Sequence, residues 1–186
     1  MPDLAPFSAV DVSALRWMRT AKEPPEFMLL AGDRPLAHLR WTRPGGSLAA
    51  AETSAASWSL KRGGFLTPHV TIRDASGRAD VGRLEVHLRQ GTFDLVGGRS
   101  FRLRRAGLLV PAWQVTDASG ALLAHIEPVR EKARLEGGSV EVEPAGRTLP
   151  DLPLLLVVGW YFIVLAWFED EALAASNRVL AVVSNP

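Results

Sequence analysis

Between Leu152 and Phe168 the chain reads LPLLLVVGWYFIVLAWF, seventeen residues without a charge, close to the end of a 186-residue sequence. A helix that is apolar on every side has no wet face, so it must be enclosed by protein or by lipid. That requirement constrains the rest of the chain: either the preceding residues build a container, or the run crosses a bilayer. Asp151 is placed to cap the helix, Pro153 falls in the first turn where backbone N–H groups lack partners, and Glu169-Asp170-Glu171 ends the charge-free run. Acidic residues are unfavourable at a helix C-terminus, which predicts that the helix continues through Ala172, Leu173 and Ala174, to about residue 175. At about 1.5 Å per residue the run is roughly 25 Å long, the short limit for a hydrocarbon core of about 30 Å. Spanning helices favour basic flanks and interfacial aromatic rings. Here no Lys or Arg lies between Arg147 and Arg178, and Trp160 and Tyr161 sit near the middle of the run. Inside protein, their polar edges are expected to find strand partners.

What precedes the run reads as strands. From Glu26 onward, segments of a few residues are punctuated by Gly, Pro, Asp and Ser, the pattern of an all-β meander. Alternation is clearest at 83–89, where Leu84, Val86 and Leu88 face one way and Arg83, Glu85, His87 and Arg89 the other. Strands are expected at 27–31, 35–41, 48–52, 58–61, 70–73, 81–88, 92–96, 100–104, 112–116, 122–129, 132–135 and 139–143. Asp-Ala-Ser-Gly occurs at 74–77 and again at 117–120, and Leu-Ala-His at 36–38 returns at 123–125. Asp that bonds nearby backbone, followed by Gly that accepts positive φ, is turn chemistry, so these are recurring hairpins rather than calcium loops. Residues 1–25, ending at Pro24-Pro25, read as a lead-in arm, and 26–186 as one domain. Within the arm, 11–20 is either a short helix or an extended segment, with Leu15, Trp17 and Met18 packing on the main body.

Container and contents can now be matched. A helix with its side chains is about 10–12 Å across, too wide for an eight-stranded barrel, whereas about eleven strands around a central helix is an attested solution. The expected fold is therefore mainly β: an antiparallel closed barrel of about twelve strands around a buried hydrophobic C-terminal helix. Its core residues are Leu154, Leu155, Leu156, Val157, Val158, Trp160, Tyr161, Phe162, Ile163, Leu165, Trp167 and Phe168.

Leu149-Pro150-Asp151, leading into Leu154–Phe168 and Glu169, is similar to the ending of the scramblase branch of the tubby-like superfamily. That superfamily also includes tubby C-terminal domains and LURP-one-related proteins. The resemblance implies a barrel around a hydrophobic helix, and the order of strands and turns from Glu26 to Glu143 fits it. It also implies contact with membrane lipids, but not calcium-dependent scrambling. The acidic stretch that scramblase-like members carry before the helix is replaced by Pro144-Ala145-Gly146-Arg147-Thr148, which has no acid.

The remaining features restrict function mainly by exclusion. A chain of this length can bury about 70% of its unfolded surface without staples, and it has no cysteine for disulfides or thiolate metal sites. A formal charge of +1 does not suit a dedicated nucleic-acid binder. The start, Met1-Pro2-Asp3-Leu4, has no signal-peptide pattern, so a cytoplasmic location, at most at a membrane surface, is expected. His38, His69, His87 and His125 stand singly, His38 and His125 at outward strand positions, and no catalytic or cofactor fingerprint is present. No cofactor and no metal is expected. The densest basic cluster is Arg99, Arg102, Arg104 and Arg105, with Arg102 and Arg104 on one outward face. It reads either as a solvated strand face or as a phosphate-binding surface. The expectation is a non-enzymatic binding module whose partner is an anionic lipid head group or a protein. The alternatives are a β-domain tail-anchored by 152–168 and an enzyme with a pocket at a barrel end.

Overall fold

Alternation governs burial along nearly every strand, as a sheet with one dry face requires. The computed structural model describes residues 3–87, 90–107, 112–131 and 134–183, and the side chains of its last helix at 152–174 and 176. Its strands are β1 (Ala14–Ala21), β2 (Glu26–Ala31), β3 (Arg34–Trp41), β4 (Leu48–Thr53), β5 (Ser57–Gly63), β6 (His69–Asp74), β7 (Asp80–His87), β8 (Gln90–Leu95), β9 (Ser100–Ala106), β10 (Ala112–Asp117), β11 (Leu122–Glu131) and β12 (Arg134–Val142). A short α1 (Pro144–Arg147) and the long α2 (Leu152–Val183) follow. Each strand pairs antiparallel with the next, and β1 pairs with β12, so the sheet closes and leaves no edge.

The barrel begins earlier than the sequence suggests. Of the two readings of 11–20 the extended one holds: residues 14–21 are not a lead-in to the barrel but its first strand, β1, in register with both β2 and β12. Leu15 and Trp17 enter the core while Met18 points outward. Residues 134–135 and 139–142, expected in two segments, belong to the single strand β12, which includes Gly137 and Gly138. A Cβ at Gly137 would meet the Trp17 carbonyl oxygen, and one at Gly138 would come within 3.0 Å of the Trp160 ring. These glycines therefore mark close approach inside a strand, not a break in it. Leu88, Arg89 and residues 132–133 lie outside the described residues.

α2 threads the barrel. Leu154 through Leu165 are buried, and Trp167 and Phe168 are half-buried where the helix emerges. Trp160 stacks on Trp17 at 5.5 Å and meets Phe27 edge-on, and Tyr161 stacks on Trp41 at 5.4 Å. The Tyr161 hydroxyl donates to the Ser47 carbonyl, and burial pushes that hydroxyl far above its ordinary pKa. The expectation of polar partners holds for Tyr161 but fails for Trp160, whose indole N–H has no acceptor among the described residues. By length and composition 152–174 could span a bilayer, but here barrel strands surround most of it. The helix also outruns its expected end near 175: the backbone stays helical through Val183.

The two barrel ends are built differently. Turns after the even-numbered strands gather at the end where α2 begins, and connections after the odd-numbered strands at the end where it leaves. Across the first end lies the lead-in, with Ala5 N–H bonded to the Pro35 carbonyl, Arg34 to the Ala9 carbonyl, and Val142 N–H to the Ser13 carbonyl. Phe7, Val10 and Val12 pack there against the core. The second end, the mouth, is where α2 emerges.

Candidate functional site

β9 carries the arginine cluster, and its alternation divides it. Phe101 and Leu103 face the helix while Arg102 and Arg104 are exposed on the outer wall. The register sets Arg102 between Thr92 and Thr116, and Arg104 between Gln90 and Gln114. Together they line a shallow groove of about 460 Å³. Arg104 reaches the Gln114 side-chain oxygen at 3.5 Å. Among the described residues, neither arginine is ion-paired. Two guanidinium groups beside hydroxyl and amide donors, with no carboxylate bonded to them, can bind an anionic oxygen group.

The other two arginines are engaged elsewhere. Arg99 lies in the turn before β9, its Nη1 2.6 Å from Asp151 Oδ2 at the start of α2. Arg105 has inward parity, in register with Trp113, and lies 4.0 Å from Asp170. Arg130 reaches the same carboxylate at 3.7 Å, and Arg62 pairs with Glu169 at 2.5 Å. Three rim arginines from β5, β9 and β11 thus hold the acidic run that follows the apolar one. The four clustered in sequence are therefore not one patch: only Arg102 and Arg104 share a surface.

The mouth has a cleft of about 720 Å³ between the β1–β2 and β3–β4 turns, floored by Trp167 and Phe168. Arg19 is committed there: it donates to the carbonyls of Ala21, Lys22 and Leu135 and lies over the Phe27 and Trp167 rings at 5.8 and 6.0 Å. Lys22 and Arg134, also lining the cleft, are exposed and form no ion pair among the described residues. Farther round the rim, Phe65 and Leu66 at the β5–β6 connection are 99% and 90% exposed. Nothing in the sequence pattern marks Lys22 or Arg134 as neighbours of Phe65 and Leu66. For the apolar pair a signal exists, because Gly63-Gly64 and Pro68 bracket two large apolar residues at a turn.

His38 keeps its outward parity but is buried, because carboxylates on the flanking strands cover it. Its Nδ1 lies 3.2 Å from Glu52 and its Nε2 3.2 Å from Glu26. His125 faces Glu127 at 3.2 Å. Among the described residues no three His, Asp or Glu side chains are grouped to hold a metal. No family model matches the chain, and no significantly similar curated protein or solved structure was found.

Proposed function

We propose that the chain is a non-enzymatic, tubby-like binding module that takes an anionic membrane head group on its outer wall. The observation that carries this reading is the pair Arg102 and Arg104, exposed side by side in a groove with Thr92, Gln114 and Thr116 and without a carboxylate partner among the described residues. A barrel closed around an apolar helix supports the tubby-like part. Because α2 fills the interior, recognition has to use the outer wall or the ends. Arginine forks suit phosphate oxygens, and the contact should weaken as salt rises.

The test is flotation of the full chain with vesicles of equimolar phosphatidylcholine and phosphatidylglycerol, beside Arg102→Glu/Arg104→Glu. Both side chains are exposed, so the fold should survive. Binding that falls about tenfold or more in the variant, and falls in the wild type with added salt, supports the reading. Equal binding by the two proteins sinks it.

A further inference from the structure

We infer that the mouth is the end that docks on an anionic bilayer, with Phe65 and Leu66 inserted among the lipids and Lys22, Arg43 and Arg134 against head groups. This rests on the lipid reading above and deepens it by assigning an orientation and an inserting element.

The first observation is the apolar tip. Two adjacent large side chains, 99% and 90% exposed, add nothing to packing, and neighbouring apolar exposure of this kind marks a surface used by a partner. The tip is shaped to project: Gly64 has a φ of +78°, and a Cβ there would collide with the Thr67 carbonyl.

The second observation is charge around the same rim. In barrel order the β11–β12, β1–β2, β3–β4 and β5–β6 connections are consecutive. At the first three stand Arg134, Lys22 and Arg43, all exposed and without ion pairs among the described residues; the apolar tip is at the fourth, with exposed Lys61 behind it. Opposing them on the described rim are Glu23, Glu131 and Glu171, whereas Glu169 and Asp170 are neutralised by Arg62, Arg105 and Arg130. Cations flanking an inserting apolar tip complement an anionic lipid surface, where each basic side chain adds attraction within a Debye length.

The third observation is α2 itself. Beyond the rim clamp it runs roughly 20 Å farther, from Glu171 to Val183. No acid follows Glu171 in the sequence, and Leu173 is 64% exposed. The extension leaves through the end that carries the tip and the cations, so a bilayer there would meet all three. At the opposite end the lead-in packs across part of the surface, and the exposed Val96 stands singly.

The experiment uses the full chain and the same vesicles. Phe65→Ser/Leu66→Ser should lose about tenfold or more in vesicle binding without change in thermal unfolding, since neither side chain packs. Lys22→Glu/Arg134→Glu should lose part of the salt-sensitive binding. A Leu66→Trp protein should show blue-shifted emission and quenching by brominated acyl chains. Val96→Ser, at the opposite end, should bind as wild type. If the double serine variant binds undiminished while Arg102→Glu/Arg104→Glu does not, the inference is overturned and the lipid reading stands. A wild type that ignores vesicles but forms a dimer, which the serine substitutions dissociate in sedimentation, overturns both by showing that the tip docks on protein.

Discussion

The two ends of the barrel solve different problems with much the same residue types. Where α2 begins, polar groups are spent on their own turns. Asp74 accepts from Ser76, Arg78 and Ala79, and Asp117 from Ser119 and Ala121. Gly77 and Gly120 supply the positive φ that each hairpin needs. Asp151, largely sheltered, is tied to Arg99, and the lead-in packs over the end. At the mouth, arginines reach inward to hold the departing helix, while Lys22, Arg43 and Arg134 remain exposed and Phe65-Leu66 stands in water. At the end knitted by local bonds Val96 and Arg78 stand exposed singly, whereas the mouth presents an adjacent apolar pair and three exposed cations on one rim. That contrast is what adds the mouth to the Arg102–Arg104 groove on the wall as a place to look for a partner.

The comparison breaks if the two ends are separable units, and Trp160 tests that most severely. Fully buried and packed on Trp17 and Phe27, it joins α2 to β1 and β2 midway along the barrel. Trp160→Ala should cost about 3–5 kcal/mol in urea unfolding. Amide exchange should accelerate at both ends together. Loss of protection at one end only would mean two independently stable halves.

A smaller effect sharpens the contrast. Asp151→Ala removes a largely buried carboxylate from its pair with the half-exposed Arg99 at the start of the helix, and should cost about 0.5–1.5 kcal/mol. Glu169→Ala removes a half-exposed partner of Arg62 at the mouth and should cost about 0.2–1 kcal/mol. Equal costs in denaturant melts would show that the mouth clamp is as structural as the closed end.

Much of this architecture was legible in the sequence because the apolar helix demanded a container and alternation supplied its walls. The total of twelve strands agrees with the expected segments only because β1 is additional and two of those segments merge into β12. Residues 11–20 are too short a stretch for periodicity to separate helix from strand, and the Pro24-Pro25 step sets them apart from the strands that follow. Gly137-Gly138 divides β12 into two segments in the sequence, because what requires those glycines, the backbone of Trp17 and Glu127 and the Trp160 ring, is brought there only by the folded barrel. The outward pairing of Arg102 and Arg104 follows from period two alone. The fates of Arg99 and Arg105 do not, since their carboxylates lie on a helix more than fifty residues later, and only closure of the barrel brings them together. The mouth surface was hidden for the same reason: 22, 43, 65 and 134 share a rim only after the sheet has closed.

The smallest expected effect concerns acid. Hydrogen bonds from Ser76 and from the backbone of Ala79 hold the Asp74 carboxyl below its ordinary value of 3.8, and Ser119 with the backbone of Ala121 does the same for Asp117. A carboxyl depressed in the folded state contributes stability that is fully present above its unfolded pKa and is lost as pH falls through the folded one. Between those two values the unfolded chain binds more protons, so falling pH favours unfolding. Wild type should therefore exceed Asp74→Asn/Asp117→Asn in unfolding temperature at neutral pH, and the gap should shrink once pH drops below about 3.8. Both carboxyls belong to the closed end, so vesicle binding measured at neutral pH should be the same for the two proteins. A variant that melts like wild type but floats less would move the binding surface away from the mouth and toward the turns.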